Sequence, residues 1–341
     1  MASEAPPFWW EKADWRAYGL YPLSRIYGFF AGRRMVNAKR QRVDVPVLCV
    51  GNFTVGGTGK TPLAIALARQ AASMQLHPGF LSRGHGGSIT EPHLVDREHD
   101  SARQVGDEPL LLAAHAPTAV TPHRAAGAAL LIEKGCDFLI MDDGFQSAQL
   151  HMDYALIVVD GRYGVGNGHV LPAGPLRADL AQQVRFATGI VRMGEDKGSE
   201  AVVRQAARAG LPIFEAAIRP SKPKTYKDRR FLAFAGIGHP EKFFGTVTDV
   251  GGEVVMSRTF PDHHFYSNEE LRELSSTARA AGLELITTAK DAIRLHNGIA
   301  PQEFVESLVV LEINCVFETK QTAERIVSET VAAWRERRLQ A

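Results

Sequence analysis

Residues 56–61, reading Gly56-Gly57-Thr58-Gly59-Lys60-Thr61, carry the groups needed to hold a polyphosphate. Glycines let successive backbone N–H groups turn onto phosphate oxygens, and a helix starting there adds its positive end. Lys60 suits neutralisation of β/γ charge, and the Thr61 hydroxyl is of a type that ligates Mg²⁺. Thr54 and Val55 open the loop, with Thr54 standing where the generic P-loop has glycine. The flanks agree with a P-loop: an apolar run over 45–50 comes before it and a helix-forming run over 63–68 follows. Pro62 falls in the first helical turn, where its missing N–H costs little. The chemistry implied is ATP binding.

Carboxylates follow at suggestive places. Asp142 and Asp143 close the apolar run 138–141, and a carboxylate at a strand end beside a P-loop holds Mg²⁺ directly or through water. Asp143-Gly144 is equally good turn chemistry. Asp107, in Gly-Asp-Glu-Pro, reads first as a helix N-cap, yet a carboxylate there is also placed to accept a proton from a hydroxyl near a phosphate site. His263, between Asp262 and His264, lacks a third ligand at zinc spacing. It is either a residue of a polar loop or one that shares a proton with an acid across a cleft. Arg83 and His85 in Ser-Arg-Gly-His-Gly-Gly, with Arg124, Arg177 and the Gly/Asn/Pro stretch 164–174, resemble functional loops able to meet phosphate or sugar hydroxyls.

Positioning these groups requires a sheet. Strand-like runs at 45–50, 78–82, 119–120, 138–141, 155–159 and 188–192 alternate with helical stretches at 62–73, 109–115, 124–133 and 200–209. Such alternation predicts an α/β fold, a mostly parallel P-loop sheet with helices on both faces and ligands at the carboxyl ends of its strands. Polar, proline-bearing 219–224 then leads to a second αβ block, with strands at 231–235, 253–260, 284–287 and 308–313. The expected organisation is an N-terminal segment over 1–42, a P-loop domain over 43–220 and a smaller C-terminal α/β domain over 221–341, which ends in a helix at 322–339.

The N-terminal segment crowds Phe8, Trp9, Trp10, Trp15, Tyr18, Tyr21, Tyr27, Phe29 and Phe30 ahead of Arg33, Arg34, Lys39, Arg40 and Arg42. Interleaved charges argue against a spanning helix; aromatics followed by a basic cluster suit a helix lying in the headgroup layer of an anionic membrane. The alternative is an aromatic helix packed on its own domain. A net charge of +1 gives no general reason to expect nucleic acid. Cys49, Cys136 and Cys315 form no CxxC pair and no cleavable signal peptide is evident, so reduced thiols in the cytoplasm are expected.

Taken together, the chain resembles the tetraacyldisaccharide 4′-kinases, the lipid A 4′-kinases of Gram-negative bacteria, over nearly its whole length. The segments that carry the likeness are V-G-N-F-T-V-G-G-T-G-K-T-P, S-R-G-H-G-G, G-D-E-P, H-R, D-D-G-F-Q, G-N-G-x-x-L-P-A-G-P-L-R, F-P-D-H-H-F-Y and T-T-A-K-D. The Thr54 departure is shared with that family. The resemblance implies transfer of the ATP γ-phosphoryl group to the 4′-hydroxyl of an acylated glucosamine disaccharide 1-phosphate, by a peripheral protein at the cytoplasmic face of the bacterial inner membrane. It also implies that Asp107 is the base and His263 its partner, that Asp142 and Asp143 sit at the metal, and that Arg83, Arg124 and Gln146 contact ligand. Ser147, Ala178 and His85 depart from the family's usual residues. The rival reading is a membrane-recruited regulatory P-loop ATPase, although such proteins usually carry a further lysine near the loop's start, where Thr54 and Val55 stand here.

Overall fold

Residues 5–147, 149–296 and 300–340 are described by the computed structural model; residues 1–4 of the expected N-terminal segment and Ala341 lie outside them. The large sheet uses β1 (Val47–Asn52), β2 (Pro78–Ser82), β3 (His93–Leu94), β4 (Thr118–Val120) and β5 (Phe138–Asp142). It continues with β6 (Tyr154–Asp160), β7 (Gly189–Met193), β8 (Ile213–Pro220) and β13 (Ile313–Phe317). A second sheet holds β9 (Arg230–Ala235), β10 (Glu253–Thr259), β11 (Glu284–Thr288) and β12 (Leu308–Leu311).

Strand order in the large sheet is β13-β8-β7-β6-β1-β5-β2-β4-β3, with only the two outer pairings antiparallel among those described. Its central strands are continuous apolar runs because both faces are covered. Along β1, Val47 and Cys49 enter one core while Leu48 and Val50 enter the other. The second core is closed by α2 (Lys60–Ser73) through Leu63 and Leu67, and by α12 (Thr322–Leu339) through Ile326 and Val327. The first is closed by α5 (Arg124–Glu133) and α7 (Glu200–Arg208), with Val184 of the short α6 (Leu180–Val184). Two short helices, α3 (Ala102–Val105) and α4 (Asp107–Ala113), lead from the β3 edge towards β4.

The smaller sheet is all parallel in the order β10-β9-β11-β12. One face meets α8 (Pro240–Asp249) through Phe243, Phe244 and Val247; the other meets α9 (Asn268–Ala281) through Leu271 and Leu274. Short α10 (Ala289–His296) and α11 (Gln302–Glu306) follow β11. The expected boundary at 220 falls at the end of β8, and the strands of 221–341 divide between the two sheets. Residues 308–313, expected as one strand, break at Glu312: β12 stays in the smaller sheet, while β13 crosses to pair with β8. β12 buries Leu311 in the smaller unit and β13 buries Cys315 and Phe317 against the large sheet, on which α12 then packs.

The N-terminal helix α1 (Trp15–Asn37) is capped by Asp14, whose carboxylate accepts from the amides of Arg16 and Ala17. Its packing is inverted. Small Ala17, Ser24 and Gly32 are buried with Met35, and Ser24 Oγ accepts from the amide of Ala173 at 2.9 Å. Trp15, Tyr18, Leu23, Ile26, Phe29, Phe30 and Val36 are exposed, Phe30 at 66%. Among the described residues, no helix is long and apolar enough to cross a membrane.

Candidate active site

The loop between β1 and α2 is shaped by two left-handed glycines, Gly56 (φ 102°) and Gly59 (φ 86°). At Gly59 an added Cβ would only touch Met193 at 3.4 Å, so the positive φ is what calls for glycine. Thr54 needs no glycine, because it forms an antiparallel bridge with Leu176, an extended conformation open to any residue. That bridge belongs to a brace: the Val55 amide donates to Pro175 O at 3.0 Å, and Arg177 Nε donates to Thr54 O at 3.1 Å. The Gly-Pro-Leu-Arg stretch thereby fixes the start of the phosphate loop.

At the carboxyl ends of β1 and β5, Thr61 Oγ1 lies 3.5 Å from Asp142 Oδ2, and Lys60 Nζ lies 3.9 Å from Asp143 Oδ1. Buried polar atoms here lack hydrogen-bond partners: Thr58 Oγ1, Asn52 Oδ1, Asp142 Oδ1 and Asp143 Oδ1. Orphaned acceptors beside a glycine loop are what a site built for phosphates and a cation leaves open. Burial, then neighbouring Glu108, raise the Asp142 carboxyl to about 7, so this position is short of positive charge. Burial would raise Asp143 too, but Lys60 and Arg177 outweigh it and hold it below the usual range. No group of three or more His, Cys, Asp or Glu at metal spacing occurs among the described residues. One hydroxyl and a carboxylate suit Mg²⁺, which keeps waters and phosphate oxygens as its other ligands.

Asp107 opens α4, where the N-cap position itself is taken by Gly106. Its carboxylate is 4% exposed, and Oδ2 lies 3.2 Å from His263 Nδ1. Burial alone would raise Asp107; the His263 hydrogen bond, Lys290 and Arg294 together hold it well below the ordinary carboxylate range. His263 is raised in turn, first by that hydrogen bond. His263 (φ 58°) and Asp143 (φ 50°) are both left-handed without being glycine, a strain retained at functional positions more than elsewhere. The two halves of the cleft share one field: Lys290 Nζ bonds Glu108 Oε1 at 2.7 Å, and Glu108 acts on Asp142 and is acted on by Lys60.

Candidate ligand contacts divide into two groups. Arg83 and His85 are exposed, and the His85 ring lies 6.2 Å from that of His263 in the cleft. Arg124 is buried instead, donating to Leu81 O at 3.0 Å and reaching the carbonyls of Asp142 and Asp143. Arg177 donates to Asp143 Oδ2 and Gln146 Oε1, while Gln146 donates to Asn52 O at 2.7 Å. These three brace the loop and the strand end. Sequence reasoning gave no role to Arg294, Lys290 or Glu108, although Thr-Thr-Ala-Lys-Asp ends three residues short of Arg294.

A parallel sheet with this loop after β1, a lysine directed at paired aspartates after β5 and a buried acid–histidine pair beyond them define a P-loop phosphotransferase. The family described as tetraacyldisaccharide-1-P 4′-kinase matches residues 16–332, and the chain belongs to it. It is 65% identical to the tetraacyldisaccharide 4′-kinase of Mesorhizobium japonicum over 342 residues, covering 100% of each. Identity to the protein of that name from a Chelativorans species is 55%, covering 99% of each chain. Among solved structures, LpxK from Aquifex aeolicus in complex with ATP is similar at a TM-score of 0.73 and 25% identity, covering 92% of this chain and 99% of that one.

Proposed function

We propose that this chain phosphorylates the 4′-hydroxyl of an acylated glucosamine disaccharide 1-phosphate with ATP, a step of lipid A biosynthesis. The observation that carries the reading is the run of contacts from Lys60–Asp143 at 3.9 Å and Thr61–Asp142 at 3.5 Å to Lys290–Glu108 at 2.7 Å and His263–Asp107 at 3.2 Å, which supports a phosphate cradle beside an acid–base pair.

Backbone amides of residues 56–60 hold the triphosphate, and Lys60 neutralises its terminal charge. Thr61 with Asp142 or Asp143 would hold Mg²⁺, which when bound neutralises charge on the phosphate oxygens. The acceptor oxygen approaches in line as its proton passes to the Asp107–His263 pair. Arg83, His85 and the braced Arg177 face the sugar and its phosphate. Because such transition states are loose, placement and charge matter more than the strength of the base. That agrees with an Asp107 whose neighbours make it a weak one.

The membrane surface is the proposed second partner, at the cytoplasmic face of the inner membrane. A helix that buries its small residues and presents Trp15, Phe29 and Phe30 with Arg25, Arg33 and Arg34 exposed has the composition of an interfacial anchor. A glycolipid acceptor would keep its acyl chains in that bilayer. As for domains, we read 221–312 as the smaller unit and 313–340 as part of the P-loop unit. The test is incubation with ATP, Mg²⁺ and the disaccharide 1-phosphate, followed by mass spectrometry. One added phosphate on the glycolipid is expected; γ-phosphate released only as free phosphate would favour the regulatory ATPase.

A further inference from the structure

Asp107 belongs to the large-sheet unit, yet the group that grips it most fully comes from the smaller one. The Arg294 side chain on α10 is 1% exposed and all of its nitrogens are used. Nε donates to Asp107 Oδ2 at 3.1 Å and Nη2 donates to the same oxygen. Nη1 donates to Gly236 O at 2.7 Å and to Asp291 Oδ1 at 2.8 Å. Asp291 is itself held, by the Gly236 amide, the Tyr266 hydroxyl and Thr288 Oγ1. Since His263 Nδ1 reaches the same Oδ2, that oxygen faces three donors, whereas among the described residues Oδ1 accepts from the Glu108 amide alone, at 3.0 Å.

A buried Asp–Arg–Asp triad is a poor way to stabilise a fold, because removing three charges from water offsets most of their attraction. Apolar residues of similar volume would join α4 to α10 as well. The geometry instead fixes an orientation. We propose that Arg294 is a positioning residue of the phosphoryl transfer: it saturates Asp107 Oδ2, leaves Oδ1 as the oxygen offered to the acceptor hydroxyl, and makes that arrangement depend on the smaller unit being docked. This rests on Asp107 and His263 serving as the acid–base pair. It also explains a carboxylate tied to α10 although its own helix belongs to the other unit. Without Arg294, His263 would share the Asp107 charge with Lys290 alone and would bind its own proton more tightly. The remaining charged neighbours, Lys290 on α10, Glu108 on α4 and Asp262 beside His263, would be unchanged, as would the facing His85 ring.

The experiment compares wild type with Arg294→Met and Arg294→Lys, using steady-state transfer to the disaccharide 1-phosphate and NMR titration of the His263 imidazole in substrate-free protein. Melting curves check that each variant is folded. Arg294→Met should lower kcat by about 10–100-fold, leave KM for ATP within about twofold, and move the His263 midpoint up by about one unit. Arg294→Lys keeps the charge but loses the fork, so its midpoint should stay near wild type while kcat falls by about tenfold. A lower kcat in Arg294→Met with an unmoved His263 midpoint would reduce Arg294 to a structural strut and overturn the proposal. Should Arg294→Met not fold, Arg294→Lys at full wild-type kcat overturns it equally. If wild type itself transfers no phosphate to the glycolipid, the underlying acid–base reading has failed instead, and the titration still reports whether Arg294 shares the Asp107 charge.

Discussion

The glycine loop proposed to hold phosphate is made of consecutive residues between one strand and one helix, whereas the proposed acid–base pair takes Asp107 from α4 and His263 from a loop after β10, with Arg294 of α10 bonded to the acid. The loop takes its shape from left-handed glycines and is braced at its start by residues 175–177, between β6 and β7 of the same sheet. The pair exists only while two sheets are held together. The loop therefore lies within the large-sheet portion of the chain, while the Asp107–His263 contact joins elements of the two sheets. Charge differs in the same sense. Around Lys60 several buried acceptors lack partners, but at Asp107 each oxygen already has one.

The sharpest way to break this contrast is Lys60→Ala. We expect kcat to fall by about 10³-fold or more, because charge neutralisation at the terminal phosphate is lost, while Arg177 is already engaged by Asp143 and Lys290 by Glu108. Steady-state transfer to the glycolipid measures it, and near-wild-type turnover would sink the cradle assignment. Asp107→Asn should cost less, about 10–100-fold, since a loose transition state asks little of its base. If Asp107→Asn proved the more damaging of the two, proton removal rather than phosphate placement would govern the rate, and the contrast would reverse.

Asp142→Asn sharpens the charge argument through stability. A carboxyl raised to about 7 binds its proton more tightly folded than unfolded, so wild type loses stability as pH climbs from about 4 through 7. The asparagine variant escapes that loss. With metal chelated it should melt a few degrees higher than wild type at pH 8 and match it near pH 4, while losing transfer activity. Equal melting at pH 8 would mean that the buried carboxylate is already compensated. The smallest effect concerns α1: replacing Phe29 and Phe30 with serine should weaken binding to anionic vesicles several-fold, leaving kcat on detergent-dispersed acceptor unchanged. Sedimentation with vesicles checks this, and undiminished binding would return the helix to a merely structural role.

Legibility in the sequence followed the same divide. Residues 56–61 declared themselves because type, spacing and flanks are all local, and β2, α5 and α12 were readable from apolar runs and helical composition. What depended on a remote partner was not. In residues 308–317 a single Glu312 between two mostly apolar halves does not reveal that they join different sheets. The aromatic run of α1 suggested an exposed face but not that Ala17, Ser24 and Gly32 would do the packing. Arg124, Arg177 and Gln146 were read as ligand contacts, and their bonds to carbonyls and to Asp143 appear only once β1, β2 and β5 lie side by side. For Arg294 the only hint was its spacing of three from Asp291, a commonplace on any helix.

The crossing at Glu312 has a further effect. Ser221 leaves the large sheet where Glu312 re-enters it, and the Ser221 amide donates to Glu312 O at 2.9 Å. Entry and exit of the smaller unit are thus adjacent, as in a cassette spliced into a host. Replacing 222–311 with a short glycine-serine bridge would leave the host's strand order unbroken. The shortened chain would carry the complete glycine loop and the Asp142–Asp143 pair with neither His263 nor Arg294, so it would separate grasping a nucleotide from spending it.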